Sequence, residues 1–304
     1  DIAVQRYVVE GTGTPVAGCF HMHLNRECRY PDLSNLFEIL PVDEKLLPIL
    51  PTIEPRVNEF RQLLQRDSVP DIPIGSHCTR PYDCPFIEHC FKGVREPSIF
   101  TVPRLGAGKI DELIHAGVTG VAEIPDSFKL SEGQKLYVEL CKTGSTKIMW
   151  QAISDELSSL KYPLWFLDFE TQSDAVPRLN GLGPYGAYPF QYSLHILKED
   201  GTLEHREYLH PDTTDPREPL ARALVGDIGT EGTIIAYNAS FEKRVISELS
   251  GYLPSIANQL QSLKERFFDL LIIFKRYYMD PGFRGSNSIK NVLPVLVPEL
   301  SYND

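Results

Sequence analysis

The sequence predicts an α/β protein, and three observations carry that reading. From residue 163 onward, apolar runs of strand length (164–169, 188–197, 203–209, 232–237) alternate with segments of helical apolar spacing (216–226, 240–250, 255–265). The stretch LWFLDFETQSD at 164–174 passes from a buried-strand pattern into two carboxylates one residue apart. A Cys- and Pro-rich stretch and a short helical segment come before it, so smaller modules precede the α/β region.

The chain has 304 residues, enough for roughly two domains of ordinary size. With 42% hydrophobic and 23% charged residues it can bury sizeable cores, and disorder is not expected. A net charge of −11 excludes a uniformly basic nucleic-acid binder. It leaves room for a polynucleotide enzyme, in which carboxylates gathered for divalent metals add negative charge. No stretch approaches the ~20 apolar residues of a membrane span, and the start DIAVQRYVVEG lacks signal-peptide form. Both ends are abrupt, which predicts that one or both are cut from a longer protein. Six unevenly spaced cysteines suggest no disulfide framework, and the expected compartment is the reducing cytoplasm.

In chain order, residues 1–9 have helical spacing and GTGTPVAG is a turn. CFHMHLNREC alternates as a strand, with Phe20, Met22 and Leu24 on one side and His21, His23 and Asn25 on the other. Residues 44–66 have helical spacing broken by Pro48, Pro51 and Pro55. The Cys-rich HCTRPYDCPFIEHC follows. Within 99–149, two short helices joined at Gly117 are expected, then a helix capped by Ser131 and ended by Gly144. A helix at 150–160 leads into the α/β region, whose last elements are FFDLLIIFKRYY and a helix in NSIKNVLPVLV.

The carboxylates carry the functional argument. On a strand, residues i and i+2 share a face, so Asp168 and Glu170 point one way and Leu167 and Phe169 the other. Two bare carboxylates side by side repel, and a divalent Mg²⁺ or Mn²⁺ between them cancels that cost. A strand simply leaving into solvent is the alternative. In TIIAYNASFEKRVISEL a strand ends at Tyr237, Asn238 and Ser240 supply cap chemistry, and a helix opens with Glu242 in its first turn. A capping box from Ser240 would need its acid at Lys243, so it does not explain Glu242. Asp269 in RFFDLLIIF reads either as a further site acid or as a helix cap.

Together these residues resemble the DEDD exonuclease superfamily. That resemblance implies a ribonuclease H-like mixed sheet flanked by helices. Its first motif, Asp-x-Glu, is matched by Asp168-Phe169-Glu170-Thr171. Its second, Asn-x-x-Phe-Asp, is matched by Asn238-Ala239-Ser240-Phe241-Glu242, with Glu in place of Asp. Asp269 resembles the acid that follows the second motif. YPLWFLDFET, YPFQYSLHIL, YNASFEKRVISEL and GSNSIKNVLPVLVPELSY resemble, in order, an uncharacterised bacterial family catalogued as a domain of unknown function. There a RecB-like nuclease region precedes a DEDD exonuclease region. The third motif, a Tyr or His followed by an Asp, has no match after Asp269, since Asp280 lies in a Pro-Gly turn and Asp304 is the last residue. An incomplete metal site is therefore expected in this chain. The resemblance implies two-metal phosphodiester hydrolysis, with Asp168 on both ions, Glu170 on the water-activating side and Glu242 on the second ion. Phe190, Gln191 and Tyr192 could stack on a terminal base or could be core aromatics with their neighbour. Asn238 and Phe241 belong to the nucleic-acid-facing motif. Lys243 and Arg244 could contact phosphates or form a solvated helix face.

Cys78, Cys84 and Cys90 are spaced for a thiolate-held metal, either an iron–sulfur cluster or Zn²⁺. The segment resembles the cysteine cluster of iron–sulfur RecB-type nucleases, which implies a [4Fe–4S] cluster with a fourth cysteine upstream. Cys28, His77 and His89 are substitutes within the chain, and three reduced cysteines in a loop are the alternative. Residues 1–25, with Gln5 and Tyr7, resemble the helix and strand after that nuclease's catalytic strand. PRLGAGKIDELIHAGVTGV resembles a helix-hairpin-helix turn, in which Gly106 and Gly108 would let backbone amides approach a phosphate.

The resulting organisation is a partial RecB-like region with a Cys cluster (1–95), a helix-hairpin-helix-like helical module (96–160) and a DEDD-type exonuclease region (161–304). The expected activity is metal-dependent 3′–5′ hydrolysis of single-stranded DNA or RNA in nucleic-acid processing or repair. The alternatives are a non-catalytic nucleic-acid-binding scaffold, or a structural metal protein with an incidental acidic cleft.

Overall fold

The computed structural model describes residues 1–300; residues 301–304, including Asp304 and the end of the last resembling stretch, lie outside the described residues. Contacts sort the chain into two compact units. One comprises 1–71, 170–191 and 210–217; the other comprises 72–169, 192–209 and the chain from 218 onward.

The first unit opens with α1 (Ile2–Gly11), followed by strands β1 (Phe20–Leu24) and β2 (Phe37–Pro41) and helices α2 (Asp43–Leu46) and α3 (Leu50–Leu64). β1 and β2 pair antiparallel, with Met22 opposite Ile39. The sequence pattern had not pointed to β2. Pro48 separates α2 from α3, but Pro51 and Pro55 do not break α3. Pro51 lies in the first turn, where an amide hydrogen has no helical partner to lose. The small core consists of Ala3, Cys19, Val42, Leu46 and Ile53. The Asp43 carboxylate ties three segments together by accepting from Cys19 N–H (3.1 Å) and pairing with Arg6 (3.1 Å). The later segments of this unit join through backbone bonds, Tyr30 N–H to Leu182 O (2.9 Å) and Gly181 N–H to Tyr30 O (3.0 Å).

The second unit begins with the cysteine loop, containing α4 (Ile87–Cys90), and a helical module with α5 (Ala107–His115) and α6 (Glu132–Thr143). The turn at Gly117 is present with φ +77°, but the second short helix is a single 3-10 turn at Val121–Glu123. Ser131 caps α6 as expected: its hydroxyl accepts from Gln134 N–H, and the Gln134 side chain accepts from Ser131 N–H. Gly144 ends α6 in the left-handed region. Ile99, Leu113, Val121, Ile124 and Tyr137 fill the module's core. The chain continues through β3 (Lys147–Ile148) and α7 (Trp150–Ser158) into β4 (Leu164–Ser173), β5 (Ala187–Leu197), β6 (Leu203–Leu209), α8 (Arg217–Asp227), β7 (Thr233–Ala236), α9 (Ser240–Tyr252) and α10 (Ala257–Glu265). It ends with β8 (Phe267–Asp269), α11 (Leu271–Arg276), β9 (Tyr278–Met279) and α12 (Ile289–Leu296). β9 pairs with β3.

A five-stranded mixed sheet in the order β6-β5-β4-β7-β8 organises the α/β region. β7 is parallel to both neighbours, with Phe166 opposite Ile235 and Ala236 opposite Asp269. After β4 the chain builds outward on one side through β5 and β6. It then crosses back through α8 to place β7 and β8 on the other side. The order reverses between β4 and β7, and in open α/β sheets the crevice at such a point, beyond the carboxyl ends of the strands, is where ligands bind. The core beside the sheet holds Leu167, Phe169, Tyr192, Leu194, Ile246 and Leu260. Each large apolar side chain buried there contributes roughly 1.5–3 kcal/mol.

Candidate functional site

β4 alternates as its sequence requires. Leu167 and Phe169 are buried, while Asp168 and Glu170 are exposed on the opposite face. The parallel pairing of β4 with β7 reaches Phe166, so Asp168 stands just past it, toward the carboxyl end. β7 ends at Ala236, and Asn238 follows with φ +67°, a left-handed conformation that Asn tolerates better than most residues. This turn starts α9 abruptly. The expected side-chain cap does not form: Ala239 precedes the helix, and the Ser240 hydroxyl donates instead to Asn238 Oδ1 (3.1 Å).

The first turn of α9 carries Glu242 into the interior, where it is only 5% exposed. Its Oε2 is buried with no hydrogen-bond partner. Burial pushes the Glu242 carboxyl up to about 7, the negative charges of Asp168 and Asp269 add to the rise, and the residue's own backbone N–H opposes it. Asp269, at the end of β8, holds two backbone amides. Its Oδ1 accepts from Leu271 N–H at the start of α11 (3.1 Å) and from Asn238 N–H (2.9 Å). It thereby fixes the left-handed turn ahead of Glu242. Three carboxylates from β4, α9 and β8 thus share one electrostatic environment at the reversal of the sheet.

Among the described residues, no group of three or more His, Cys, Asp or Glu side chains is gathered so that it could hold a metal ion. This holds for the acids above and for the cysteine loop. Cys78 is buried, Cys84 half-buried and Cys90 exposed. The loop is nevertheless anchored: Ser76 N–H and hydroxyl donate to the two Asp111 carboxylate oxygens on α5 (2.8 and 2.9 Å). Cys28 is fully buried, with its thiol directed at Asp32 O.

Several sequence candidates take structural roles. Tyr192 cannot stack on a base, because it is fully buried and its hydroxyl donates to Asp227 Oδ2 (2.5 Å). Phe190 and Gln191, just before it on β5, are half-buried. Phe241 packs against the sheet core, with the Arg244 guanidinium over its ring (5.3 Å). Lys243 lies against the Phe267 ring (5.7 Å). Gly106 and Gly108 surround the start of α5, and an added Cβ at either would meet nothing within 4 Å. The fold itself therefore has no steric need for these two glycines.

A cavity of about 830 Å³, not foreseen from the sequence, adjoins the acids. Asn238 and Leu271, the two residues whose amides bind Asp269, both line it. Its aromatic side is built from Tyr237, Phe274, Tyr278 and Phe283, with ring centroids 5.2–6.1 Å apart between contacting neighbours. Arg104, just before α5, and Lys275 also line it. The aromatic spacing in FFDLLIIFKRYY was the available signal, but it reads equally well as an ordinary apolar helix.

Residues 165–288 match the family model described as Domain of unknown function (DUF2779). No curated protein and no solved structure matches the chain.

Proposed function

We propose that the α/β region is a metal-dependent exonuclease of the DEDD type with a ribonuclease H-like sheet, hydrolysing single-stranded nucleic acid from its 3′ end. The observation that carries this reading is the orphaned Glu242 Oε2, a buried carboxylate oxygen beside two further acids at the reversal of the sheet. A buried unpaired carboxylate is costly unless something positive meets it, and hard divalent cations take oxygen ligands of this kind. The donor chemistry fits Mg²⁺ or Mn²⁺. Asp168 and Glu242 would hold the ion, and Glu170, next on the same face of β4, is the remaining donor of the first motif. A bound ion would supply activation of water and neutralisation of charge at the scissile phosphate. Asp269 is a positioning residue, since its two backbone bonds hold the Asn238 turn that delivers Glu242.

Titration of the protein with Mn²⁺, followed by electron paramagnetic resonance of the free ion, tests the site. Wild type should retain one ion more tightly than Asp168→Asn or Glu242→Gln, by about tenfold or more. In a chain that also carries the third motif, Mn²⁺-dependent shortening of a 5′-labelled single strand should be lost in the same variants. Equal Mn²⁺ uptake in all three proteins sinks the reading. A second reading, a non-catalytic nucleic-acid-binding scaffold, is favoured by the absence of a gathered three-ligand group among the described residues. It predicts strand binding that Mn²⁺ and the two substitutions leave unchanged.

A further inference from the structure

The cavity beside the acids is lined by chemistry suited to a nucleotide rather than to a purely apolar ligand. The half-buried rings of Tyr237, Phe274 and Tyr278 give it flat apolar surface, backed by the buried rings of Tyr137 and Phe283. The Asn238 and Asn287 amides can meet a polar edge. Arg104 and Lys275 are exposed, and neither makes an ion pair or side-chain hydrogen bond among the described residues. In a chain of net charge −11, two uncompensated cations on one cavity are a local exception. The acid lining it, Asp280, already accepts from Gly282 N–H (2.7 Å). The volume falls within the ~300–1,000 Å³ of ordinary ligand sites.

The walls are also held in place before any ligand arrives. Arg104 sits at φ +54°. The carbonyl of its predecessor, Pro103, accepts from the buried Gln134 side chain (3.0 Å). Gly285, which also lines the cavity, packs so tightly that a Cβ there would lie 1.8 Å from Thr101 O. Tyr137 donates to the Thr101 hydroxyl (3.0 Å) and also lines the cavity. The helical module and the segment after β8 are therefore locked together around the space. Preorganisation of this kind lowers the ordering cost of binding.

We propose that this cavity receives a base of single-stranded nucleic acid, stacked on the aromatic wall, with Arg104 and Lys275 taking the flanking phosphates. The proposal deepens the exonuclease reading and rests on it for the phosphate beyond Asn238 to reach the acids. It assigns the helical module a direct part in substrate binding, through Arg104 rather than through Gly106 and Gly108.

The test is fluorescence anisotropy of a labelled short thymidine oligomer on the full chain in EDTA, so that binding is read without hydrolysis. Wild type should bind the thymidine oligomer at least about fivefold more tightly than an abasic oligomer with the same phosphates. The double variant Arg104→Ala/Lys275→Ala should lose about tenfold in affinity and show a shallower salt dependence. Thermal melting should show that the variant is folded, as expected for two exposed side chains. A uridine oligomer run alongside separates RNA from DNA preference. Equal affinity for the abasic oligomer, an unchanged double variant, or no binding at all overturns the proposal. If the expected binding pattern appears and Asp168→Asn and Glu242→Gln still take up Mn²⁺ as wild type does, the exonuclease reading fails and the cavity assignment stands. If Mn²⁺ uptake is lost in Asp168→Asn and Glu242→Gln but the double variant binds the oligomer like wild type, the cavity assignment alone fails.

Discussion

β1 of the β1–β2 ribbon and β4 of the five-stranded sheet are both alternating apolar strands, yet they use that alternation differently. On β4, alternate residues are buried and the exposed set carries the acids. On the ribbon, Phe20, Met22, Phe37 and Ile39 are all more than half exposed, and no face of β2 is buried. Alternation in the sequence thus specifies that a strand has two faces. Whether one face becomes a core depends on what packs against it, and β4 has α8, α9 and α10 contributing to its core whereas the ribbon has none. The contrast separates the residues that hold the fold from those whose chemistry is left free.

The largest expected effect tests the depth of the sheet core. Leu194 is fully buried among Phe169, Tyr192 and the helices. Leu194→Ala should destabilise the protein by about 2–5 kcal/mol in chemical denaturation. A loss below about 1 kcal/mol would mean that this core is no better packed than the ribbon.

Close backbone approach gives the next effect. At Gly285 an added Cβ meets a backbone carbonyl at 1.8 Å, and φ is +72°, so neither the neighbour nor the conformation can give way cheaply. In the first unit, a Cβ on Gly183 meets the end of the Arg29 side chain at 2.6 Å and Cys28 O at 2.9 Å. Gly285→Ala should therefore cost roughly 2–4 kcal/mol and should also weaken oligomer binding by distorting the cavity wall. Gly183→Ala should cost less, because its nearest backbone atom lies at 2.9 Å rather than 1.8 Å and its φ is not positive. Melting both variants side by side checks the order.

Glu242 offers a pH-dependent contrast with the exposed acids of β4. Its carboxyl is raised to about 7 in the fold, above the ordinary glutamate value, so the fold prefers the protonated form. That stabilisation is complete below the unfolded value and is lost as pH rises through about 7. Glu242→Gln should match wild type near ~pH 4 and exceed it at ~pH 8 by on the order of 2 kcal/mol. Added Mn²⁺ should close the gap at the higher pH by stabilising wild type alone. A gap that is the same at both pH values would show that the carboxylate is solvated in the folded protein.

These contrasts also mark what the sequence could reveal. Strands β4 to β7, helices α8 to α10 and α12, the Ser131 cap and the Gly144 stop were legible, because each depends on local pattern and local backbone chemistry; the short strands β8 and β9 were not. β4 and its two-faced acids were legible for the same reason. The burial of Glu242 was not, since an acid in a first helical turn is ordinarily solvated and its burial depends on how α9 packs into the sheet core. Nor was the cavity, because Arg104 and Phe274, which both line it, are distant in the chain. β2 escaped notice because FEILP is short and buries neither face, so its composition carries no alternation of burial.

The smallest effect is expected on the ribbon, and it decides whether the opening contrast is energetic or only geometric. Met22 and Ile39 lie opposite each other and are 59% and 60% exposed. Replacing either with Thr removes little burial and leaves a β-branched side chain suited to a strand at the position. Met22→Thr and Ile39→Thr should each change stability by within about 0.5 kcal/mol. The same substitutions shrink a contiguous exposed apolar face, so self-association measured by light scattering should fall. A stability loss approaching that of Leu194→Ala would mean that the ribbon face is buried in the folded protein. The two sheets would then differ in what covers them and not in whether they are covered.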